Sequence, residues 1–293
     1  MSPAGSEASF RQLTVDLPPS LWQALEAAVE ASGETVEHLV RVALSERLGI
    51  GDHGTLFQVS TAGALVEGLY KGVVTVAELS DHGDFGIGTL AGLDGEMVAL
   101  DGRFYQARAD GAVVEVADSA RCPYAVVTRF TPVENERRVI DEATDLAGLH
   151  AHLDGLRESA NAFYAIRIDG RFDSVLTRSV SPTTEGVPLA EAAASQTEME
   201  FSDVKGTLVG FWSPGFLGGA LVSGYHLHFL SDDRQSAGHL LACSGRSLAA
   251  VVRRESEFRL SLPESAAFLR ADLSRDPSEA LRAAESKPEE GKR

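Results

Sequence analysis

One short stretch in the last third of the chain places three histidines in the pattern of a β-hairpin. His226 and His228 lie two residues apart in the apolar, β-prone segment 221–230. His239 follows after the polar segment 231–238, which has the composition of a turn. Side chains two residues apart on a strand point to the same face of a sheet. The sequence therefore predicts two adjacent strands that bring three imidazoles together.

Three imidazoles on neighbouring strands are a suitable donor set for a divalent metal ion. Neutral histidine nitrogens bind zinc, and a site with three protein ligands keeps positions open for a substrate. The alternative is three hydrogen-bonded histidines in the core. The His-x-His spacing with a third histidine across a hairpin favours the metal site, with zinc or another divalent ion.

The same stretch and several upstream motifs resemble the acetolactate decarboxylase family. The motifs are Ser-Gly-Tyr-His-Leu-His-Phe at 223–229 with Gly-His at 238–239, His-Gly-Asp-Phe-Gly-Ile-Gly-Thr at 82–89, Leu-Asp-Gly-Glu at 93–96 and Phe-Tyr-Ala-Ile-Arg-Ile-Asp-Gly at 163–170. The similarity runs from about residue 55 to residue 285, with the motifs in the same order throughout. Agreement in order is more specific than any single motif.

The resemblance implies an activity and a set of ligands. The activity is the decarboxylation of 2-acetolactate, a 2-hydroxy-3-keto acid, to acetoin and CO2 through a metal-stabilised enediolate. The implied metal ligands are His226, His228 and His239, with Glu285 of the C-terminal tail as a fourth. Other glutamates near the tail are alternatives for the fourth ligand: Glu279, Glu289 and Glu290.

Two further residues correspond to functional positions of the family. Glu96, in Leu-Asp-Gly-Glu, corresponds to a glutamate that faces the substrate and takes or holds its hydroxyl proton. Arg178 corresponds to an arginine that grips the substrate carboxylate or protonates the enediolate. Gripping is the natural role, because a guanidinium binds carboxylates through two hydrogen bonds and stays protonated.

Two other functions remain open from the residues alone. A cupin-like oxygenase or a zinc hydratase would use the same histidines, but cupins also need a glutamate a few residues later, where this chain has Asp232 and Asp233. A ligand-sensing regulator would bind DNA through the N-terminal residues.

Many short apolar segments separated by Asp-Gly turns predict a β-rich α+β fold. We expect mixed and antiparallel sheets, with a barrel-like half around the histidines. The predicted catalytic domain covers residues 54–285, divided into an N-terminal sheet half (54–160) and a metal-binding half (161–285). The helix predicted at 144–156 carries His150 and His152, which point about 200° apart on a helix and so cannot share a metal; we expect both on solvated flanks.

The first fifty residues add a small module. Residues 10–49 read as strand, helix, helix and resemble the ribbon-helix-helix module, an intertwined dimer that can bind DNA. Residues 1–50 contain three arginines, no lysine and seven acidic residues, which argues against DNA binding. We expect a dimerisation module after a disordered leader (1–9), a homodimer or higher homo-oligomer, and a charged tail at 286–293.

Charge and composition exclude several partners. The chain has 43 acidic and 26 basic residues, a net charge of −17, which repels nucleic acid and anionic membranes. The long uncharged run 206–230 contains Pro214 and several glycines, so it does not predict a transmembrane helix. No signal peptide is visible, and Cys122 and Cys243 form no C-x-x-C motif, which together predict a reduced cytoplasmic location, with one disulfide left open.

Overall fold

The computed structural model describes residues 14–32, 35–36, 39–40, 43–44, 47, 54–130 and 136–285. The predicted leader 1–9 and charged tail 286–293 lie outside these residues. Among the described helices, none has the length and apolar composition needed to cross a membrane.

The described chain is rich in strands. In order, its helices and strands are α1 (Pro19–Ser32), β1 (Thr55–Val59), α2 (Ala62–Val66), β2 (Val74–Thr75), α3 (Val76–Ser80), β3 (Phe85–Thr89), β4 (Glu96–Leu100), β5 (Arg103–Ala107), β6 (Val113–Glu115), β7 (Arg121–Cys122), β8 (Tyr124–Thr128), β9 (Arg138–Ala143), α4 (Leu146–Leu156), β10 (Phe163–Ser179), α5 (Leu189–Ala193), β11 (Thr197–Ser213), β12 (Gly224–Ser231), β13 (Ala237–Glu255), β14 (Glu257–Ser261), α6 (Ala266–Arg270) and α7 (Ser278–Glu285). The predicted β-rich α+β class is confirmed.

The first sheet has seven strands in the order β14-β1-β8-β3-β4-β5-β6. Its strands are short, and the pairing is antiparallel except between β1 and β14. Asp101 and Gly102 join β4 to β5 with φ angles of 52° and 77°, the conformation of a tight hairpin turn that Asp-Gly favours. Asp101-Gly102 is therefore one of the Asp-Gly turns expected between short strands, and it joins an antiparallel pair.

The second sheet has five strands in the order β10-β11-β12-β13-β9, and β10 also pairs with β13. This extra pairing closes β10, β11, β12 and β13 into a ring, which confirms the predicted barrel-like half. The strands are long, at 17 residues for β10 and β11 and 19 for β13. Buried aromatic rings fill the interior, as in the edge-to-face pair Phe172 and Phe229 at 5.7 Å.

Helix α4 covers the second sheet through its buried Leu149 and Leu153. Asp145 caps its first turn by accepting a hydrogen bond from the Gly148 amide at 2.7 Å. His152 is exposed, as predicted. His150 is not on a solvated flank: it is half-buried and stacks on Tyr225 of β12, with ring centroids 4.2 Å apart.

The two sheets share one hydrophobic core. A single buried cluster includes Phe85 and Val98 of the first sheet together with Val209 and Phe211 of the second. Arg167 adds a polar connection, since it donates to Asp169 on its own strand and to Asp101 in the β4–β5 turn at 2.7 Å. The sheets are therefore held at a fixed separation where β4 lies over β12 and β13.

The N-terminal module differs from the rest of the chain. Residues 14–18 form no strand, because a β-ribbon needs a second strand to pair with. Leu21 and Trp22 of α1 are 53% and 46% exposed. The second predicted helix lies largely outside the described residues, and Val40 and Leu44 within it are also exposed.

Candidate metal centre

Three histidines converge between β12 and β13. His226 and His228 lie on the same face of β12, and His239 of β13 is directly opposite His228 in the register. The ring centroids are 5.0–5.3 Å apart, and one nitrogen from each ring lies within 4.8 Å of the other two. The hairpin predicted from the sequence is present and brings together all three predicted histidines.

Two glycines let neighbouring strands approach these histidines closely. Gly238, just before His239, has φ of +147°, and a Cβ on it would lie 2.7 Å from the Arg178 carbonyl oxygen. A Cβ on Gly210 of β11 would lie 2.0 Å from the His226 carbonyl oxygen. Larger residues at either position would push apart the strands that carry the site.

A backbone carbonyl of β4 orients His228. The Nδ1 atom of His228 lies 2.9 Å from the carbonyl oxygen of Met97. A carbonyl only accepts hydrogen bonds, so Nδ1 carries the proton and Nε2 offers a lone pair. The Glu96 carboxylate is 3.6 Å from this Nε2 atom. One short strand of the first sheet thus supplies both the orienting group and an adjacent acid.

The environment of His226 keeps its imidazole neutral. Burial, and to a smaller extent the nearby charge of Arg178, lowers the pKa of His226 to about 3. A neutral imidazole is the form that binds a metal. His228 and His239 are almost fully buried, at 0% and 3% exposure, whereas His226 is partly accessible.

These residues fit a divalent ion. The three imidazoles are the only described group of three or more potential ligand side chains within such a short distance of one another. Three nitrogen donors with room for further ligands are typical of catalytic zinc sites. Glu96 lies beside the cluster rather than within it.

Arg178 lies at the edge of the cluster. It sits on β10 opposite His239 and is 4% exposed. Its Nη1 atom donates to Oε1 of Gln196 at 3.0 Å, which fixes the guanidinium. A buried cation beside three imidazoles is suited to bind an anion.

Glu285 is the last residue of α7, and its side chain lies outside the described part of the structure. A cavity of about 540 Å³ is lined by His239 and by residues of this helix, including Leu281 and Arg282. Glu285 follows these residues by four and three positions in the sequence. Glu279 is exposed, and Glu289 and Glu290 lie outside the described residues.

Sequence reasoning missed three contributors to the site. The Met97 carbonyl leaves no trace in the sequence, because any residue offers the same group. Gln196 lies in a polar connection, and only the sheet register places it near Arg178. Tyr225 was visible as the residue before His226, but its contacts with α4 depend on long-range packing.

Comparison with known proteins agrees with these motifs. The family model described as alpha-acetolactate decarboxylase matches residues 56–275. An alpha-acetolactate decarboxylase of Methylococcus capsulatus is 44% identical over 240 residues, covering 82% of this chain and 91% of that protein. An alpha-acetolactate decarboxylase of Bacillus subtilis is 38% identical over 219 residues, which cover 74% of this chain and 85% of that protein.

Solved structures agree as well. The crystal structure of alpha-acetolactate decarboxylase from Bacillus subtilis strain 168 superposes with a TM-score of 0.76 at 36% identity. The match covers 80% of this chain and 100% of that one.

Proposed function

Because the chain belongs to the alpha-acetolactate decarboxylase family, we propose that it is a carboxy-lyase that converts 2-acetolactate to acetoin and CO2 in acetoin biosynthesis. The observation that carries the proposal is the cluster of three imidazoles on β12 and β13, with the Glu96 carboxylate 3.6 Å from His228 and the buried Arg178 opposite His239. The substrate is a small 2-hydroxy-3-keto acid, whose ketone receives the electrons released with CO2.

We further propose that His226, His228 and His239 bind zinc, with Glu285 completing the protein ligands. When bound, a divalent ion would act as a Lewis acid on the substrate's ketone and hydroxyl oxygens. Its inclusion is supported by the position of Glu285 at the end of α7, the helix whose Leu281 and Arg282 border the cavity. Another divalent ion would fit the same nitrogens, and metal analysis of the purified protein decides between them.

Arg178 binds the substrate carboxylate in this proposal. Its side chain is buried and held by Gln196 at 3.0 Å, so little rotational freedom is lost on binding. A guanidinium pairs with both carboxylate oxygens, which orients the bond that breaks. The chain carries a net charge of −17, so an anionic substrate needs such a local cation.

Glu96 handles the proton of the substrate hydroxyl. Its side chain comes from β4, is nearly buried, and lies 3.6 Å from Nε2 of His228. From there it can accept the hydroxyl proton and return a proton to carbon, directly or through a water molecule. Arg178 is a poor proton donor because a guanidinium keeps its proton under the conditions in which the enzyme works.

An acetolactate assay tests the proposal. Purified protein should release CO2 from acetolactate, lose this activity with a chelator and recover it when zinc is returned. Inactivity of a fully metallated, folded protein would contradict the proposed reaction.

The cupin-like alternative gains no support from the turn between β12 and β13. Asp233 accepts a hydrogen bond from Ser231 within that turn, and Asp232 pairs with Lys205 at 2.9 Å. In the described residues, neither carboxylate joins the imidazole group. Oxygen uptake by an iron-loaded protein would revive this alternative.

We propose that residues 10–49 join two copies of the chain. Val15, Leu21 and Trp22 are exposed, so they form an apolar surface that the other described residues of the chain leave accessible. Removing residues 1–49 should lower the number of chains per particle, as measured by analytical ultracentrifugation, and leave turnover unchanged. A gel shift at low salt tests DNA binding, for which the seven acids in residues 1–50 predict no retardation.

We also propose a reducing, cytoplasmic setting. Cys122 and Cys243 are both buried and outside any disulfide, and burial raises the pKa of each thiol to about 12. Two buried thiols outside a disulfide support this setting. Cell fractionation checks the compartment.

A further inference from the structure

The segment of β12 that carries His226 is paired with a strand on only one side. Along its whole length β12 pairs with β11. In the described structure it pairs with β13 at only three positions, from His228 opposite His239 to Leu230 opposite Ala237. The backbone on either side of His226 therefore borders the cavity instead of a second strand.

Side-chain contacts with α4 and its C-cap hold this part of β12 instead. The Tyr225 hydroxyl donates to Oδ1 of Asp154 at 2.6 Å and accepts from Nε of Arg157 at 3.1 Å. The Tyr225 ring stacks on His150, with centroids 4.2 Å apart. Asp154 and His150 belong to α4, and Arg157 is its C-cap.

The other side of the contact set reaches β11. The guanidinium carbon of Arg157 lies 3.7 Å from the centroid of a Trp212 ring, and Trp212 is opposite Tyr225 in the register. Arg157 also pairs with Asp154. A cation on an aromatic face and an adjacent ion pair hold the guanidinium in one position. The end of α4 is thus fixed to both strands beside His226.

We propose that Tyr225, held by Asp154 and Arg157 of the α4 end, is a positioning residue that fixes His226 for metal binding. We call these three residues the Tyr225 clamp. The inference rests on the proposed metal centre and adds residues whose nearest contacts are on the opposite face of β12 from the imidazoles. A ligand that must first be ordered binds its metal more weakly, so the clamp raises metal affinity.

Zinc affinity, measured on the chelated full-length protein by competition with a coloured chelator, tests this. Tyr225→Phe keeps the ring and removes the hydroxyl together with its hydrogen bonds to Asp154 and Arg157, and we expect about fivefold weaker zinc binding. Asp154→Ala should weaken binding similarly. Asp154→Asn keeps an acceptor oxygen and should stay within about twofold of the unmodified protein.

Two controls separate positioning from general loss of stability. Tyr164→Phe removes the hydrogen bond from the Ser159 amide at 3.0 Å, also near Arg157 but on β10. It should change the Tm of the chelated protein without changing zinc affinity. The double variant Tyr225→Phe/Asp154→Ala should lose less affinity than the two single losses combined, because both variants break the same Tyr225–Asp154 hydrogen bond.

Unchanged zinc affinity in Tyr225→Phe and Asp154→Ala would overturn the clamp. An equal loss in Tyr164→Phe would also overturn it, because the effect would then be general destabilisation. Failure of the unmodified chain to bind zinc would overturn the metal centre and the clamp together. That failure is distinguishable, because it appears before any substitution is made.

Discussion

The two sheets of the catalytic part contribute to the candidate site in different ways. The first sheet is made of strands of five residues or fewer, and it supplies one carboxylate, Glu96, and one carbonyl, Met97, from the single strand β4. The second is made largely of long strands that curl into a ring, and it supplies His226, His228, His239 and Arg178. The three histidines proposed as metal ligands thus share one continuous sheet.

The two sheets therefore have different proposed tasks: the second fixes the spacing of the metal ligands, and the first supplies the group for proton transfer. Imidazoles on neighbouring strands keep their separation because the backbone ladder fixes it, as a metal site requires. Glu96, the residue proposed to transfer the proton, comes from a separate sheet, and the shared core that contains Phe85 and Phe211 sets its distance from the histidines. We therefore expect substitutions in the second sheet to affect metal and substrate binding, and substitution of Glu96 to affect the chemical step.

The largest effect should come from removing a ligand in the second sheet. His226→Ala should weaken metal binding by more than about 100-fold, since loss of a group that merely supports a ligand already costs about 10–100-fold. Turnover should disappear with the metal. Metal content and acetolactate turnover are the measurements, and His152→Ala, an exposed histidine of α4, is the matched control. Full metal content in His226→Ala would contradict the ligand assignment.

The next largest effect should come from the first sheet. Glu96→Gln keeps the size of the side chain and removes its ability to take a proton, so kcat should fall by about 10²–10⁴-fold. Metal content should stay unchanged. Glu115→Gln, an exposed glutamate of the same sheet, serves as the control. Loss of metal in Glu96→Gln would show that Glu96 is a ligand and would remove the division between the sheets.

A smaller effect is expected from Arg178→Lys. The lysine keeps the charge but loses the two-hydrogen-bond contact with a carboxylate, so KM should rise by about tenfold with metal retained. Steady-state kinetics and metal analysis measure both. Arg246→Lys, at an exposed pair with Glu142, is the control. Loss of metal instead of substrate affinity would make the proposed role of Arg178 wrong.

The smallest effect on activity is expected at the connection between the sheets. Glu255 ends β13 just before the chain enters β14 in the first sheet, and it is 1% exposed. Burial raises its pKa from 4.5 to about 8, although the charge of Arg253 and the Thr128 hydroxyl oppose the shift. The folded state therefore holds this proton more tightly than the unfolded state does.

Because the pKa of Glu255 is higher in the folded state, protonation of this residue stabilises the fold. This contribution to the free energy of unfolding is complete below pH 4.5 and is lost as the pH rises to about 8. The slope from this group is at most about 1.4 kcal/mol per pH unit. Glu255→Gln should flatten the dependence of Tm on pH in this window and leave turnover unchanged. An identical pH profile in the variant would contradict this.

The sequence predicted the second sheet better than the first. The His-x-His spacing and the turn before His239 were local signals, and the register of β12 and β13 follows from them. Glu96 and Arg178 were identified only through the family motifs, because nothing local distinguishes them from surface charges. The sheet order that brings β4 against β12 depends on contacts far apart in the chain, which a pattern of residues does not specify.

The half-buried position of His150 shows the same limit. Its place on the helix predicted that it would not share a metal with His152, because side chains two residues apart on a helix point about 200° apart. Its burial was wrongly predicted, because helical spacing does not reveal that Tyr225 of a distant strand stacks on it. Local periodicity gave the direction of the side chain but not its neighbour.

Elemental analysis of protein purified without added metal, paired with an acetolactate assay before and after chelation, tests whether the three histidines hold a metal ion that turnover requires. We expect about one divalent ion per chain, bound by the three histidines, with turnover lost on chelation and restored by zinc. Full turnover by protein that contains no stoichiometric divalent ion would contradict it.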